Sequence, residues 1–133
     1  MSPRYLLDTN IVSHIMQGRD SVLLQRLAAL RVGDAVISSV TLAELEYGLH
    51  RRNQPPKLRN ALTQVLLRMD VLAWDETVAR CYGELCATLE SRGINLSDLD
   101  MMIAAHAKAS GLTLVSRDRA FAQIAPEVVV EVW

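Results

Sequence analysis

Five short hydrophobic runs along the chain, each bounded by turn or polar residues, predict β-strands. Within these runs the apolar positions do not alternate strictly with polar ones, which is typical of strands covered on both faces. Their short length and the turn residues around them favour strands over buried helices. The predicted strands are 4–8, 35–38, 71–74, 112–116 and 128–132.

Between the predicted strands, apolar residues recur at helical spacing. The stretch "SVLLQRLAALR", for example, places Val22, Leu23, Leu27 and Leu30 on one helical face. A repeating order of strands and helices predicts an α/β fold, with a mostly parallel sheet between two helical layers. The break "NQPPK" separates two helices rather than two domains, so we expect a single domain over residues 1–133. Other helices are predicted in "TLAELEYGLHRR", "LRNALTQVLLRM", "TVARCYGELCATLES" and "LDMMIAAHAKASG".

Composition is that of one globular domain of 133 residues, half of them hydrophobic. The formal net charge of −1 gives no global sign of nucleic-acid binding. No apolar run is long enough for a transmembrane helix and no signal peptide is evident, so we expect a cytoplasmic protein without a membrane partner. Cys81 and Cys86 lie five residues apart in a predicted helix and are expected to be packed thiols.

Acidic residues follow the predicted strands or begin the helices after them. Asp8 follows the first strand, Glu44 lies early in the helix after the second, and Asp118 follows the fourth. Asp98 and Asp100 begin the helix that precedes the fourth strand. The carboxyl ends of parallel strands share one edge of a sheet, and ligands bind at that edge in open α/β folds. We therefore expect all five acids at one edge.

Each acid also has a simpler explanation as a helix cap. Asp8 or Asn10 can cap the first helix, and Asp118 can cap a short helical piece after it. Thr41–Glu44 and Ser97–Asp100 both match the spacing of a capping box. Capping is the favoured interpretation for any one acid alone. It is weaker for all of them together, because caps need not converge and a Ser or Thr would serve equally well.

Converged carboxylates predict a divalent cation. Without one, several acids within ~4–6 Å of each other would be forced to stay protonated. A group of Asp and Glu oxygens with no His or Cys nearby in sequence suits Mg²⁺ or Mn²⁺. The matching chemistry is hydrolysis of a phosphodiester by a metal-activated water. His106, six residues after Asp100, is interpreted as a structural histidine.

Four motifs together resemble the PIN-domain ribonucleases over essentially the whole chain. They are "LLDTN" at the N-terminus, "TLAELEYG" in the middle, "LDMMIAAHA" late and "LTLVSRDRAF" near the C-terminus. The pattern is most similar to the VapC-type toxins of bacterial toxin–antitoxin pairs. The resemblance implies a PIN-like three-layer α/β/α domain with the sheet order 3-2-1-4-5. It also implies a Mg²⁺- or Mn²⁺-dependent endoribonuclease.

By motif, the resemblance implies that the catalytic acids are Asp8, Glu44, Asp100 and Asp118. The metal would be bound by Asp8, Asp100 and Asp118. This sequence departs from the family at "INLSDLD", where Asp98 is an extra acid, so the choice of ligand between Asp98 and Asp100 stays open. The supporting polar residues that the resemblance places around the metal are Thr9, Asn10 and Ser116.

The resemblance further implies an RNA substrate (tRNA or ribosomal RNA loops), a homodimer and a cognate antitoxin that covers the active-site groove. Because the chain is nearly neutral, RNA affinity should come from local cations. For the segment "HRRNQPPKLR" a solvated helix end and a phosphate-binding patch are equally good interpretations. Arg117 can either contact phosphate or pair with an acid. The candidate RNA contacts are Arg51, Arg52, Lys57 and Arg117, with Arg4 as a further one.

Two other classes of function stay open at this point. The first is a different acid-site α/β protein, either a phosphatase or a phosphoacceptor receiver. A haloacid-dehalogenase-type phosphatase would need a second Asp where Asn10 stands, and a receiver would need paired acids after the first strand. The second class is a non-catalytic interaction domain whose acids only cap helices.

Overall fold

The computed structural model, which describes residues 2–133, contains a five-stranded sheet with the order β3-β2-β1-β4-β5. All four strand pairings are parallel. Both findings confirm the predicted α/β class and the order 3-2-1-4-5. The strands are β1 (Tyr5–Leu7), β2 (Ala35–Ser38), β3 (Val71–Leu72), β4 (Thr113–Val115) and β5 (Val130–Glu131).

Helices connect the strands, and most of them begin at a short polar residue that caps their first turn. Nowhere in residues 2–133 does a helix combine the length and apolar character that a membrane span requires. The predicted break at "NQPPK" is confirmed, because Asn53 and Gln54 adopt positive φ there and end the helical path. The helices are α1 (Thr9–Gln17), α2 (Ser21–Ala28), α3 (Ser39–Arg51), α4 (Pro56–Arg68), α5 (Glu76–Ser91), α6 (Asp98–Ala109) and a 3₁₀ helix (Arg119–Gln123).

The central strand β1 separates two hydrophobic cores. Leu6 packs on one side of the sheet with residues of α5 and α6, among them Leu85 and Ile103. Leu7, which points to the opposite face, packs with residues of α1, α2 and α4, among them Leu62. Burial of each such side chain stabilises the fold by ~1.5–3 kcal/mol. The two cores confirm the three-layer α/β/α arrangement.

Several element ends differ from the prediction. The edge strands β3 and β5 are each two residues long, shorter than the predicted 71–74 and 128–132. Helix α2 ends at Ala28 rather than at 31, and Val22, predicted on its buried face, is 64% exposed. Its buried residues are Leu23 and Leu27, which are one helical turn apart.

His106 and the two cysteines have the structural roles that the sequence predicts. Cys81 and Cys86 are free, half-buried thiols on α5. His106 is 1% exposed, and its Nδ1 lies 2.7 Å from the hydroxyl oxygen of Ser38. This bond joins α6 to the end of β2 through the interior of the molecule.

Candidate active site

Asp8 lies at the carboxyl end of the central strand and is almost fully buried, with 3% of its surface exposed. Its N–H donates to the carbonyl of Val115 on β4 at 3.1 Å, so strand pairing continues to this residue. Its carboxylate Oδ1 accepts the Ile11 N–H at 2.8 Å, which makes Asp8 the N-cap of α1. The capping interpretation is therefore correct for Asp8. It does not explain the burial, because a buried carboxylate is a far costlier cap than a hydroxyl.

The pKa of Asp8 is raised, which means that its surroundings disfavour the charged carboxylate. Burial is the largest cause. Hydrogen bonds from Ser116 and the Ile11 N–H counteract the rise in pKa, whereas the negative charges of Asp100 and Asp118 increase it. The structure thus brings two of the predicted acids within electrostatic range of a third. A cation would relieve the repulsion among them.

Asp98 and Asp100 share the first turn of α6 but have different surroundings. Asp100 is half-buried and its charge acts on Asp8, whereas Asp98 is exposed and its charge acts on Tyr82 of α5. Residues two apart on a helix point about 200° apart, which explains the difference. Ser97 provides the cap, since its hydroxyl accepts the Asp100 N–H at 3.3 Å. The geometry favours Asp100 over Asp98 as the acid beside Asp8.

Asp118 reaches the site from the turn after β4. It is exposed, and its Oδ1 accepts the Ala120 N–H at 2.9 Å, so it caps the 3₁₀ helix. Its own N–H donates to the hydroxyl oxygen of Ser116 at 3.0 Å. Ser116 is buried and also hydrogen-bonds Asp8. This predicted supporting residue therefore connects two of the acids.

Glu44 is not part of a capping box. Helix α3 begins at Ser39, with Ser38 as its N-cap, and the Ser38 hydroxyl accepts the Val40 N–H at 3.1 Å. The capping box predicted over Thr41–Glu44 is therefore wrong. The helix starts three residues earlier than that pattern requires, so Glu44 lies in the second turn, where backbone N–H groups already have partners.

Two threonines hold the Glu44 carboxylate. Thr9 Oγ1 lies 2.7 Å from Glu44 Oε1 and 3.2 Å from Thr41 Oγ1. A carboxylate only accepts hydrogen bonds, so the single Thr9 proton goes to Glu44, and Thr41 donates its own proton to Thr9. Because Thr9 follows Asp8 directly, this pair of bonds ties the second acid to the first.

Thr41 is the site residue that the motifs did not predict. It is fully buried and occupies the same helical face as Leu45 and Leu49, at spacings of four residues. A hydroxyl on a buried helical face needs a hydrogen-bond partner, and that is the signal from which it could have been found. By contrast, Asn10 is exposed on α1, and no hydrogen bond among residues 2–133 joins its side chain to the acids.

An open groove with a volume of about 490 Å³ extends from Glu44 along α3. Thr9 and Glu44 line its inner part, and Arg51 and Arg52 line it further out. Two of the four predicted RNA contacts therefore lie in one depression with Glu44, one of the predicted catalytic acids. Lys57 is exposed on the first turn of α4, outside the residues that line this groove.

The other two candidate cations are engaged in structural ion pairs. Arg117 donates from Nη1 to Asp20 Oδ2 at 2.6 Å and from Nε to the Trp133 carbonyl at 2.6 Å. Of the two roles left open for Arg117, pairing with an acid is the one that the structure contains. Arg4 pairs with Asp34 at 3.0 Å and precedes β1, so it lies at the opposite edge of the sheet from the acids.

The oxygen donors of the site fit a hard divalent cation. Asp8 uses acceptor positions for Ile11 and Ser116, and a carboxylate has about four such positions, so capacity for a cation remains. Among residues 2–133, no three His, Cys, Asp or Glu side chains are close enough to enclose an ion by themselves. A cation here would need water ligands as well, which is how Mg²⁺ usually binds.

Comparison with known proteins gives the family. Residues 5–126 match the family model described as PIN domain. The chain is 34% identical over 115 residues to Ribonuclease VapC2 of Haemophilus influenzae, covering 86% of each protein. It is 33% identical over 115 residues, again 86% of each, to the tRNA(fMet)-specific endonuclease VapC of Shigella flexneri. The crystal structure of DNA-bound VapBC from Salmonella typhimurium matches with a TM-score of 0.90 and 30% identity, covering 98% of both chains.

These similarities decide between the classes of function left open by the sequence. A phosphatase, a receiver and a non-catalytic interaction domain are all excluded, because the match extends over nearly the whole chain and its relatives are ribonucleases by name. The protein is accordingly an enzyme that hydrolyses RNA phosphodiester bonds. The chain belongs to the PIN-domain family and, within it, to the VapC-type ribonuclease toxins of toxin–antitoxin systems.

Proposed function

We propose that this ribonuclease depends on Mg²⁺ or Mn²⁺, with Asp8, Asp100 and Asp118 as the metal-binding acids. One observation carries the proposal, namely that the pKa of buried Asp8 is raised and that the charges of the other two acids add to the rise. A fold that buries one carboxylate beside two others loses stability by doing so. A bound divalent cation restores that stability.

When bound, the cation supplies a more acidic water and positive charge for the phosphorane-like transition state. The side chains of this chain have separate tasks. Asp8, Asp100 and Asp118 would hold the cation with carboxylate oxygens. The hydrogen bonds from Ser116 and Ile11 fix the orientation of Asp8.

Glu44 is proposed as the acceptor of a proton from the attacking water. Its Oε1 accepts the Thr9 hydroxyl proton at 2.7 Å, which leaves Oε2 as the oxygen that takes the proton. Its place on the wall of the open groove allows RNA to reach it. A carboxylate held by one hydrogen bond and open on its other oxygen is suited to general-base catalysis.

We also propose that the substrate is a tRNA or a ribosomal RNA loop, and that the protein acts in the cytoplasm as a homodimer. The name of the Shigella flexneri relative supports a tRNA target. A cognate antitoxin is proposed to cover the groove and so to block the access of RNA to it. The similarity to a VapBC structure supports this proposal. The free thiols Cys81 and Cys86 are consistent with a reducing compartment.

A matched pair of substitutions tests the metal site. Asp100→Asn should slow Mn²⁺-dependent RNA cleavage ~100-fold or more and abolish most of the rise in Tm that Mn²⁺ causes in the antitoxin-free protein. Asp98→Asn removes the same charge from the same helical turn and should leave both quantities near their wild-type values. Cleavage of labelled RNA and thermal unfolding with and without Mn²⁺ provide the two measurements.

The proposed metal site is wrong if Asp100→Asn cleaves like the wild type. It is also wrong if both variants lose the same part of the Mn²⁺ effect, because that result would reflect the total charge of the helix end and not a site.

A further inference from the structure

Tyr47 is the exposed aromatic residue of this protein. The chain has six aromatic side chains, and the other five are buried or half-buried, whereas Tyr47 is 66% exposed. An aromatic ring in water gives up a large favourable burial energy. Its exposure at a functional groove is therefore informative in a way that a single exposed aliphatic residue is not.

The position of Tyr47 relates it to the acids. It follows Glu44 by three residues on α3, so the two share a helical face and are ~4.5 Å apart along the helix axis. Both side chains line the groove. Leu99, which is 44% exposed, lines the same groove and directly precedes Asp100. The groove therefore holds two exposed side chains with apolar surface, one on the helix of Glu44 and one next to Asp100 in the chain.

Arg51 places a positive charge beside the Tyr47 ring. Its guanidinium carbon lies 5.5 Å from the centre of the Tyr47 ring, and Arg51 lines the groove as well. On a plain helix surface this would be an ordinary pair four residues apart, with a small effect on helix stability. In a groove that Glu44 lines, a ring and a cation together match the two parts of a nucleotide, its base and its phosphate.

We propose that Tyr47 is a stacking platform for one unpaired RNA base next to the scissile phosphate, with Leu99 as a further apolar contact in the same groove and Arg51 at a neighbouring phosphate. This inference rests on the proposed function, since it takes the acids as the point of cleavage. Bases in single-stranded loops can swing out and stack on aromatic side chains, whereas paired bases cannot. The Tyr47 ring therefore selects an unpaired base at this position of the groove.

Binding without cleavage tests the platform. In EDTA, the antitoxin-free protein is titrated with a labelled single-stranded RNA decamer and with a decamer of equal length whose central residues are abasic. Tyr47→Leu keeps an apolar side chain but removes the ring. It should weaken binding of the intact decamer on the order of 10-fold, because stacking on an aromatic side chain has about that effect per base. Binding of the abasic decamer should be unchanged.

Tyr47→Phe is the matched control, since it keeps the ring and loses only the hydroxyl, and it should bind both decamers like the wild type. Leu99→Ala should weaken the intact decamer alone. The proposal is overturned if Tyr47→Leu leaves the intact decamer unaffected or weakens both decamers equally. It is overturned too if Tyr47→Leu weakens only the complex with the antitoxin, which would assign the ring to the protein partner.

The failure of this proposal can be distinguished from failure of the metal-dependent mechanism. Wild-type protein that discriminates the two decamers in EDTA but does not cleave RNA with Mn²⁺ would keep the platform and reject the metal site. Protein that cleaves with Mn²⁺ equally well whatever residue stands at position 47 would support the metal site and reject the platform.

Discussion

At the scale of single residues, the same acids cap helices and form the candidate site. Asp8 caps α1 with Oδ1 and also interacts with the charges of Asp100 and Asp118. Asp118 likewise caps the 3₁₀ helix while its backbone is bound to Ser116, which in turn bonds Asp8. In the sequence, each acid could be interpreted either as a helix cap or as a site residue. The structure shows that one acid can have both roles. Backbone groups at helix starts orient the same carboxylates that meet at the sheet edge.

The buried hydroxyl of Thr41 should matter for catalysis through Thr9 and Glu44. Thr41→Val keeps the shape of the side chain and removes the donor to Thr9, so the Glu44 carboxylate is held less firmly. Loss of about one hydrogen bond corresponds to a kcat ~5–10-fold lower, with KM unchanged. Steady-state cleavage kinetics give both constants. Thr41→Ser retains the hydroxyl and should retain wild-type kcat; equal losses in the two variants would rule out the hydrogen bond as the cause.

At the scale of elements, α3 organises the groove. One helix of 13 residues presents Glu44, then Tyr47, then Arg51 along the same depression. Spacings of three and four residues keep these side chains on one face. The cationic residues predicted from the sequence to bind RNA therefore differ in their surroundings. Those on α3 line the groove, whereas Arg117 holds Asp20 and the carbonyl of Trp133.

Arg51 and Arg52 should account for part of the salt dependence of RNA binding. Replacing both with Gln removes up to two phosphate contacts, so the slope of log Kd against log salt should fall by ~1.4 for single-stranded RNA. Binding in EDTA at several salt concentrations gives the slope. Arg80→Gln is the control, since Arg80 is exposed on α5 and pairs only locally with Glu76. An unchanged slope in the double variant would remove the two arginines from the binding surface.

At the scale of the whole molecule, contacts through the interior join the helical layers to the sheet. The His106–Ser38 bond links α6 to the end of β2, close to the start of α3 that carries Glu44. The chain as a whole is nearly neutral at −1, so attraction for RNA depends on where its charges lie and not on their sum. The fold thus controls both the position of the acids and the local positive charge.

The stability of the whole fold should depend on the protonation of His106. Burial lowers the pKa of His106 below its ordinary value of 6.5, and the charge of Asp75 only partly opposes this. Below pH 6.5 the unfolded chain binds a proton that the folded chain does not, so the free energy of unfolding falls as pH drops from 6.5 toward the folded pKa. Above 6.5 this contribution is fully present.

Urea unfolding between pH 5 and 7.5 measures that dependence. His106→Asn, which can still bond Ser38, should unfold with a shallower pH dependence than the wild type over this range. Identical pH profiles for the two proteins would exclude His106 as the source, since the acids of the site titrate in both.

Local patterns in the sequence predict the alternation of strands and helices, the parallel sheet and the acids that follow its strands. Hydrophobic period and turn chemistry are local properties, which is why Asp8, Glu44, Asp98, Asp100 and Asp118 could be placed after strands or at helix starts. The choice of four of them as catalytic acids came from the family resemblance. The sheet order came from the family resemblance, since periodicity does not specify which strands are neighbours. The failed capping box at Glu44 shows the limit of local patterns, because the true helix start at Ser39 depends on where β2 ends.

Which polar groups lie close together depends on the tertiary structure. It placed Asp100 rather than Asp98 beside Asp8, and it engaged Arg117 with Asp20, which lies 97 positions away in the chain. It also brought Thr41 to Thr9 and placed Tyr47 with Glu44 in one groove. These contacts form when the helices pack on the twisted sheet. Short-range sequence patterns do not specify them, because the residues involved are far apart in the chain.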